Sequence, residues 1–127
     1  MCGIIAYIGA RDALPILLEG LKRLEYRGYD SAGVATLDGG ALNVARTVGR
    51  VHELVPKVSD GSRFSGSLGI AHTRWATHGG VTEDNAHPQR SDQSEGGVVT
   101  IVHNGIIENH ATIKKWLEGK GHEFRSE

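Results

Sequence analysis

The chain has 127 residues, 39% hydrophobic and 23% charged, with 14 Lys and Arg set against 15 Asp and Glu. That length holds one domain with a real core. A formal net charge of −1 gives no electrostatic footprint for nucleic acid or an anionic membrane, so neither is expected as a partner. The single cysteine, Cys2, cannot close an internal disulfide, and nothing points to an oxidising compartment. The apolar stretch 2–10 has no basic residue ahead of it and meets Arg11-Asp12 too early for a secretory signal. No run approaches the ~18 apolar residues of a membrane span. A cytoplasmic protein is expected.

In chain order, residues 3–9 (GIIAYIG) read as a short buried strand, apolar and β-branched up to a glycine. Asp12 then caps a helix that tolerates Pro15 in its first turn, with Leu14, Leu17, Leu18, Leu21 and Leu24 on one face, ending near Gly28. SAGVATL (31–37) and ALNVARTV (41–48) flank Asp38-Gly39-Gly40 and predict a β-hairpin. A short helix follows over 51–55, ahead of Pro56, and then a loop over 59–67. Strands are expected over 67–73 and 98–103, separated by a polar, irregular segment 76–97. Asn109 caps a last helix that turns Ile113, Trp116 and Leu117 inward and closes at Gly119 or Gly121. Strands in the middle with flanking helices imply an α+β layered sandwich. Residues 123–127 look like the start of another element, so the chain reads as a piece of something longer.

Four segments could carry chemistry. Removal of Met1 would leave Cys2 with both a thiol and a free α-amine, so one residue supplies nucleophile and base. An α-amine titrates near ~7.7–8.0 and a thiol near ~8.5, both close to working pH. The bland alternative is a small buried hydrophobe. In AHTRWATHGG (71–80), His72 and His78 invite a metal, but HExxH, CxxC and carboxylates at ligand spacing are all missing, so no metal site is expected. Arg74 at a strand end can hold a carboxylate bidentately, with Thr77 and His78 adding a hydroxyl and an imidazole. Asn104-Gly105 in HNGIIEN (103–109) offers an amide and a backbone N–H as oxyanion donors, each worth ~2.7–4 kcal/mol in a transition state, or else an ordinary Asn-Gly turn. Arg27-Gly28 in LEYRGYDSAG (24–33) reads equally well as a helix end with a glycine stop.

MCGII, LEYRGYDSAG, HTRWATHG with NAHP (85–88), and HNGIIEN occur in that order. Together they closely resemble the glutaminase domain of the glutamine–fructose-6-phosphate aminotransferase family, across essentially the whole chain. That family lies within the class II glutamine amidotransferases, N-terminal-nucleophile hydrolases built as an αββα sandwich. The resemblance implies that residues 1–127 are the N-terminal part of such a domain, with only the first part of the sandwich present. It makes Cys2 the nucleophile on the glutamine side-chain amide, its own α-amine the base through a water, and Asn104 and Gly105 the oxyanion donors. Arg74 would grip the glutamine α-carboxylate, with Thr77 and His78 lining the same end. Trp75 would help gate ammonia, and Arg27 and Gly28 would pack close to the nucleophile. No cofactor is implied. Fructose 6-phosphate is the acceptor only in a full-length enzyme, implied to be a homo-oligomer. In the family a matching Ser-Glu is followed by Thr-Asp, whose aspartate binds the substrate α-ammonium, whereas this sequence stops at Glu127. Two rival readings stand beside this one: the glutaminase part of another class II enzyme such as amidophosphoribosyltransferase, and a non-catalytic remnant.

Overall fold

The computed structural model describes residues 1–60, 63–92 and 96–127. The elements run β1 (Gly3–Ile8), α1 (Ala13–Leu24) with a 3-10 turn over Glu25–Arg27, β2 (Ser31–Asp38), β3 (Ala41–Val48), α2 (Val51–Val58), β4 (Leu68–Arg74), β5 (Gln89–Arg90), β6 (Thr100–Ile101) and α3 (His110–Glu118). Four strands form one antiparallel sheet in the order β1-β4-β2-β3, and β5 pairs with β6 in a small second sheet.

The leucine spacing of α1 does what its period dictates. Leu14, Leu17 and Leu21 are buried against the sheet, and α2 adds Val51, Leu54 and Val58 to the same core with Val34, Ala45 and Ala71. Each such aliphatic side chain contributes roughly 1.5–3 kcal/mol of burial. The β2–β3 hairpin turns through Gly39 and Gly40 at φ +52° and +89°, the left-handed pair that a two-residue loop requires. Phe64, in the 59–67 loop, is also buried in this core.

Four expectations need correction. β1 is not a buried strand: its burial alternates because it lies at the sheet edge and α1 covers one face, leaving Ile4 and Ile8 exposed. The short helix does not stop before Pro56 but runs through it to Val58. Pro56 faces solvent, so the one lost backbone bond is outweighed by burial of Val58 in the last turn. The strand expected over 98–103 shrinks to Thr100–Ile101, since its partner β5 is only two residues long. Finally, α3 forms and closes at Gly119, but it buries no residue and leaves Ile113 and Trp116 exposed, with Leu117 half-buried. Among the described residues, no helix is long and apolar enough to cross a membrane.

Candidate active site

The register of β1 against β4 builds the site. Gly3 pairs with Thr73, so the residue before β1, Cys2, falls beside the residues that end β4. The Trp75 N–H donates to Cys2 Sγ at 3.4 Å, and the thiol lies 3.8 Å from the Trp75 carbonyl oxygen. Cys2 is half-buried and unpaired. The thiolate is the form of a cysteine that attacks.

Gly28 lets two segments meet at this point. A Cβ there would stand 2.9 Å from both the Arg74 carbonyl carbon and the Trp75 nitrogen. Just beyond it, Asp30 ties the end of β4 down: its N–H donates to the Arg74 carbonyl at 3.0 Å, and its carboxylate accepts the Ala76 N–H at 2.8 Å. Arg27 reaches toward the same corner, with Nη2 3.7 Å from Met1 Sδ and its Nε buried without a partner among the described residues.

Arg74 is 9% exposed, and its guanidinium is turned into the loop that follows it. Nη1 donates to the Gly80 carbonyl at 2.9 Å, and Nη2 donates to the carbonyls of His78 and, at 3.5 Å, Gly79. Those bonds use three of five donors, which leaves two for a carboxylate. The His78 ring meets the Thr77 hydroxyl at 3.3 Å, so both polar side chains stand at this end and are exposed. The Trp75 indole packs edge-on against Tyr29 at 5.7 Å between centroids, and Arg50 covers the Tyr29 ring at 4.8 Å.

Cys2, Arg27, Gly28, Arg74 and Trp75 are thus brought together, with Thr77 and His78 adjoining. Asn104 and Gly105 lie exposed in irregular chain after β6, and among the described residues the sulfur's hydrogen-bonding contacts are to Trp75. Behind the site, on the sheet face opposite α1, His72 is 1% exposed, with its ring 4.6 Å from that of His87. Burial first, then the neighbouring His87, lowers the His72 pKa to about 4. The His103 main chain lies near enough to favour the charged ring, yet among the described residues neither ring nitrogen has a hydrogen-bond partner. Among the described residues no group of His, Cys, Asp or Glu could hold a metal.

Asp30, Asn85 and Glu127 are residues that sequence reasoning did not single out. Asp30 and Glu127 bond main-chain groups of Arg74, Ala76 and Gly80, and Asn85 bonds the Gly80 carbonyl and Glu127, contacts that no spacing rule signals; Asp30 and Asn85 at least lie in the LEYRGYDSAG and NAHP segments already noted.

No family model matches the chain. Curated relatives match it along its whole length: the glutamine–fructose-6-phosphate aminotransferase of Xylella fastidiosa is 56% identical over 128 residues, covering 100% of this chain and 20% of that protein. The enzyme of the same name from Caldanaerobacter subterraneus subsp. tengcongensis is 52% identical over 130 residues, with the same coverage. In sequence, the chain is similar to the N-terminal fifth of the glutamine–fructose-6-phosphate aminotransferases. It therefore spans about a fifth of the length of the curated relatives it matches. Among solved structures, the glutamine phosphoribosylpyrophosphate amidotransferase of B. subtilis, complexed with ADP and GMP, superposes with a TM-score of 0.79 at 28% identity over 98% of this chain and 26% of its own. A structure described as the allosteric regulatory enzyme of purine biosynthesis gives 0.85 at 28% identity over 99% of this chain and 27% of its own. The fold is accordingly the α+β fold of N-terminal-nucleophile amidotransferases. The described residues form one helical layer of α1 and α2 on the four-stranded sheet, with the two-stranded sheet beside it.

Proposed function

We propose that residues 1–127 are the N-terminal part of a glutaminase domain and carry the nucleophilic half of its site. With Met1 removed, the Cys2 α-amine takes the thiol proton through a water, and the thiolate attacks the side-chain amide carbon of glutamine. The tetrahedral adduct collapses with protonation and loss of ammonia, leaving a γ-glutamyl thioester. Water then cleaves the thioester to glutamate and restores the thiol. The observation that carries this reading is the Trp75 N–H directed at Cys2 Sγ, one residue beyond Arg74. It supplies a sulfur nucleophile next to a carboxylate-binding cation.

In this reading Arg74 offers its two remaining donors to the glutamine α-carboxylate, with Thr77 and His78 at its side. Asn104 and Gly105 close over the oxyanion, and Trp75 lines the path by which ammonia leaves. The whole aminotransferase, a cytoplasmic homo-oligomer in this reading, would pass that ammonia to fructose 6-phosphate. The relatives favour this acceptor over phosphoribosyl transfer, since identity is 52–56% to the aminotransferases and 28% to the phosphoribosylpyrophosphate enzyme.

The test is covalent labelling of the Met1-free chain with a diazoketone analogue of glutamine, read by mass spectrometry. We expect an adduct on Cys2, none in Cys2→Ser, and none while Met1 is retained. A Cys2 that takes iodoacetamide but ignores the analogue overturns the reading.

A further inference from the structure

We infer that Asn85 is the positioning residue of the Arg74 loop, locking the 78–80 carbonyls around the guanidinium through a clamp completed by Glu127. The role rests on the proposal that Arg74 binds the glutamine α-carboxylate, and it adds residues that proposal does not include.

Asn85 is 7% exposed, and every group of its amide is engaged. Nδ2 donates to the Gly80 carbonyl at 3.1 Å and to Glu127 Oε2 at 3.2 Å, while Oδ1 accepts the Glu127 N–H at 2.9 Å. Glu127 Oε2 also accepts the Gly80 N–H at 2.8 Å. Gly80 is therefore held from both ends of its main chain, its N–H by Glu127 and its carbonyl jointly by Asn85 and Arg74 Nη1. A buried amide with all its bonds made fixes one arrangement and penalises others, because each lost partner leaves a desolvated polar group. The hydrogen bonds from Gly80 and Asn85 hold the Glu127 carboxyl below its ordinary pKa, so it serves as an acceptor at neutral pH.

The clamp decides where the guanidinium points. With the Gly80 carbonyl fixed, Arg74 Nη1 is anchored and the plane of the guanidinium is set. Released, the long arginine side chain samples other rotamers, and the distance from carboxylate to Cys2 Sγ is no longer set. A misplacement of about 1 Å at a reacting centre costs on the order of 100-fold in rate.

The experiment uses the Met1-free chain and two variants. Asn85→Asp keeps the volume but replaces both donated N–H bonds with a carboxylate facing the Gly80 carbonyl and Glu127. In the double variant Asn85→Asp with Glu127→Gln, an amide N–H is returned to the new carboxylate. Two quantities are read: the ratio of Cys2 labelling by the diazoketone glutamine analogue to labelling by neutral iodoacetamide, and hydrogen exchange at the Gly80 amide. We expect Asn85→Asp to lower the ratio by about 10- to 100-fold with iodoacetamide labelling unchanged and Gly80 protection lost. The double variant recovers part of both. An unchanged ratio with unchanged Gly80 protection overturns the inference, as does an equal loss against both reagents, which marks a merely structural role. If the parent chain takes iodoacetamide but not the analogue, the glutaminase reading fails, whereas loss of Gly80 protection in Asn85→Asp still reports the clamp itself.

Discussion

Replacing Gly28 by alanine tests how tightly the β4 end is held against the 3-10 turn. The Gly28 backbone is extended at φ −175°, a conformation any residue adopts, so the whole effect is steric. The new methyl would lie 2.9 Å from the Arg74 carbonyl carbon and the Trp75 nitrogen, where ordinary contact begins at 3.4 Å. These are backbone atoms in a paired strand, and they cannot swing aside as a side-chain tip can. Closing a gap of that size by strand displacement costs about 1–3 kcal/mol. With a urea m-value of about 1–3 kcal/mol/M for a small protein, the unfolding midpoint should fall by about 1 M. Because the displaced atoms include the Trp75 nitrogen that faces Cys2, the iodoacetamide reaction of Cys2 should change in the same variant. Gly119→Ala is the control: its methyl would meet only the Lys115 and Trp116 carbonyl oxygens at 3.5 Å, ordinary contact, and its φ of −64° suits alanine. A Gly28→Ala protein with the parent midpoint and unaltered Cys2 reactivity would refute the steric reasoning.

Phe64→Ala removes a ring that a loop inserts into the core, and should cost about 3–5 kcal/mol; a urea-melt loss under ~1 kcal/mol contradicts its placement. For His72 the folded pKa of about 4 lies below the ordinary histidine value of 6.5, so the unfolded chain binds the extra proton between those values. Stability should be independent of this group above pH ~6.5 and decline by up to about 3 kcal/mol as pH falls toward 4, with burial of His87 pushing the same way. Melts of His72→Gln against the parent across that range should show a shallower decline in the variant.

Elements whose cause is local were legible from the residues alone. The leucines of α1 repeat at helical spacing, and Asp38-Gly39-Gly40 supplies the positive φ that a tight hairpin needs. What failed was whatever depends on a neighbour. GIIAYI says strand by composition, but whether one face or two is covered is decided by where β1 sits in the sheet. Val58 extends α2 past Pro56 because a core position awaits it, which no propensity scale records. In the site, Cys2 and Arg74 were each visible as chemistry, yet their adjacency comes from a strand pairing across some seventy residues. Asp30, Asn85 and Glu127 stayed hidden because most of their bonds are to main-chain groups, which carry no residue signature, and the Asn85–Glu127 pair spans 42 residues.

The pairing of β1 with β4 also has a dynamic meaning. Edge strands open locally at lower free energy than the centre of a sheet, and here the edge strand begins directly after Cys2, the proposed nucleophile. Each time the Gly3–Thr73 end of the ladder opens, the sulfur loses its Trp75 neighbour and the site ceases to exist, although α1, α2 and the β2–β3 hairpin remain folded. The fraction of time in which the thiol is competent is then an exchange equilibrium at the first rungs of β1. A ligand that bridges Arg74 and Cys2 would act as an extra rung, slowing amide exchange at Gly3 and Ile4 in proportion to its occupancy.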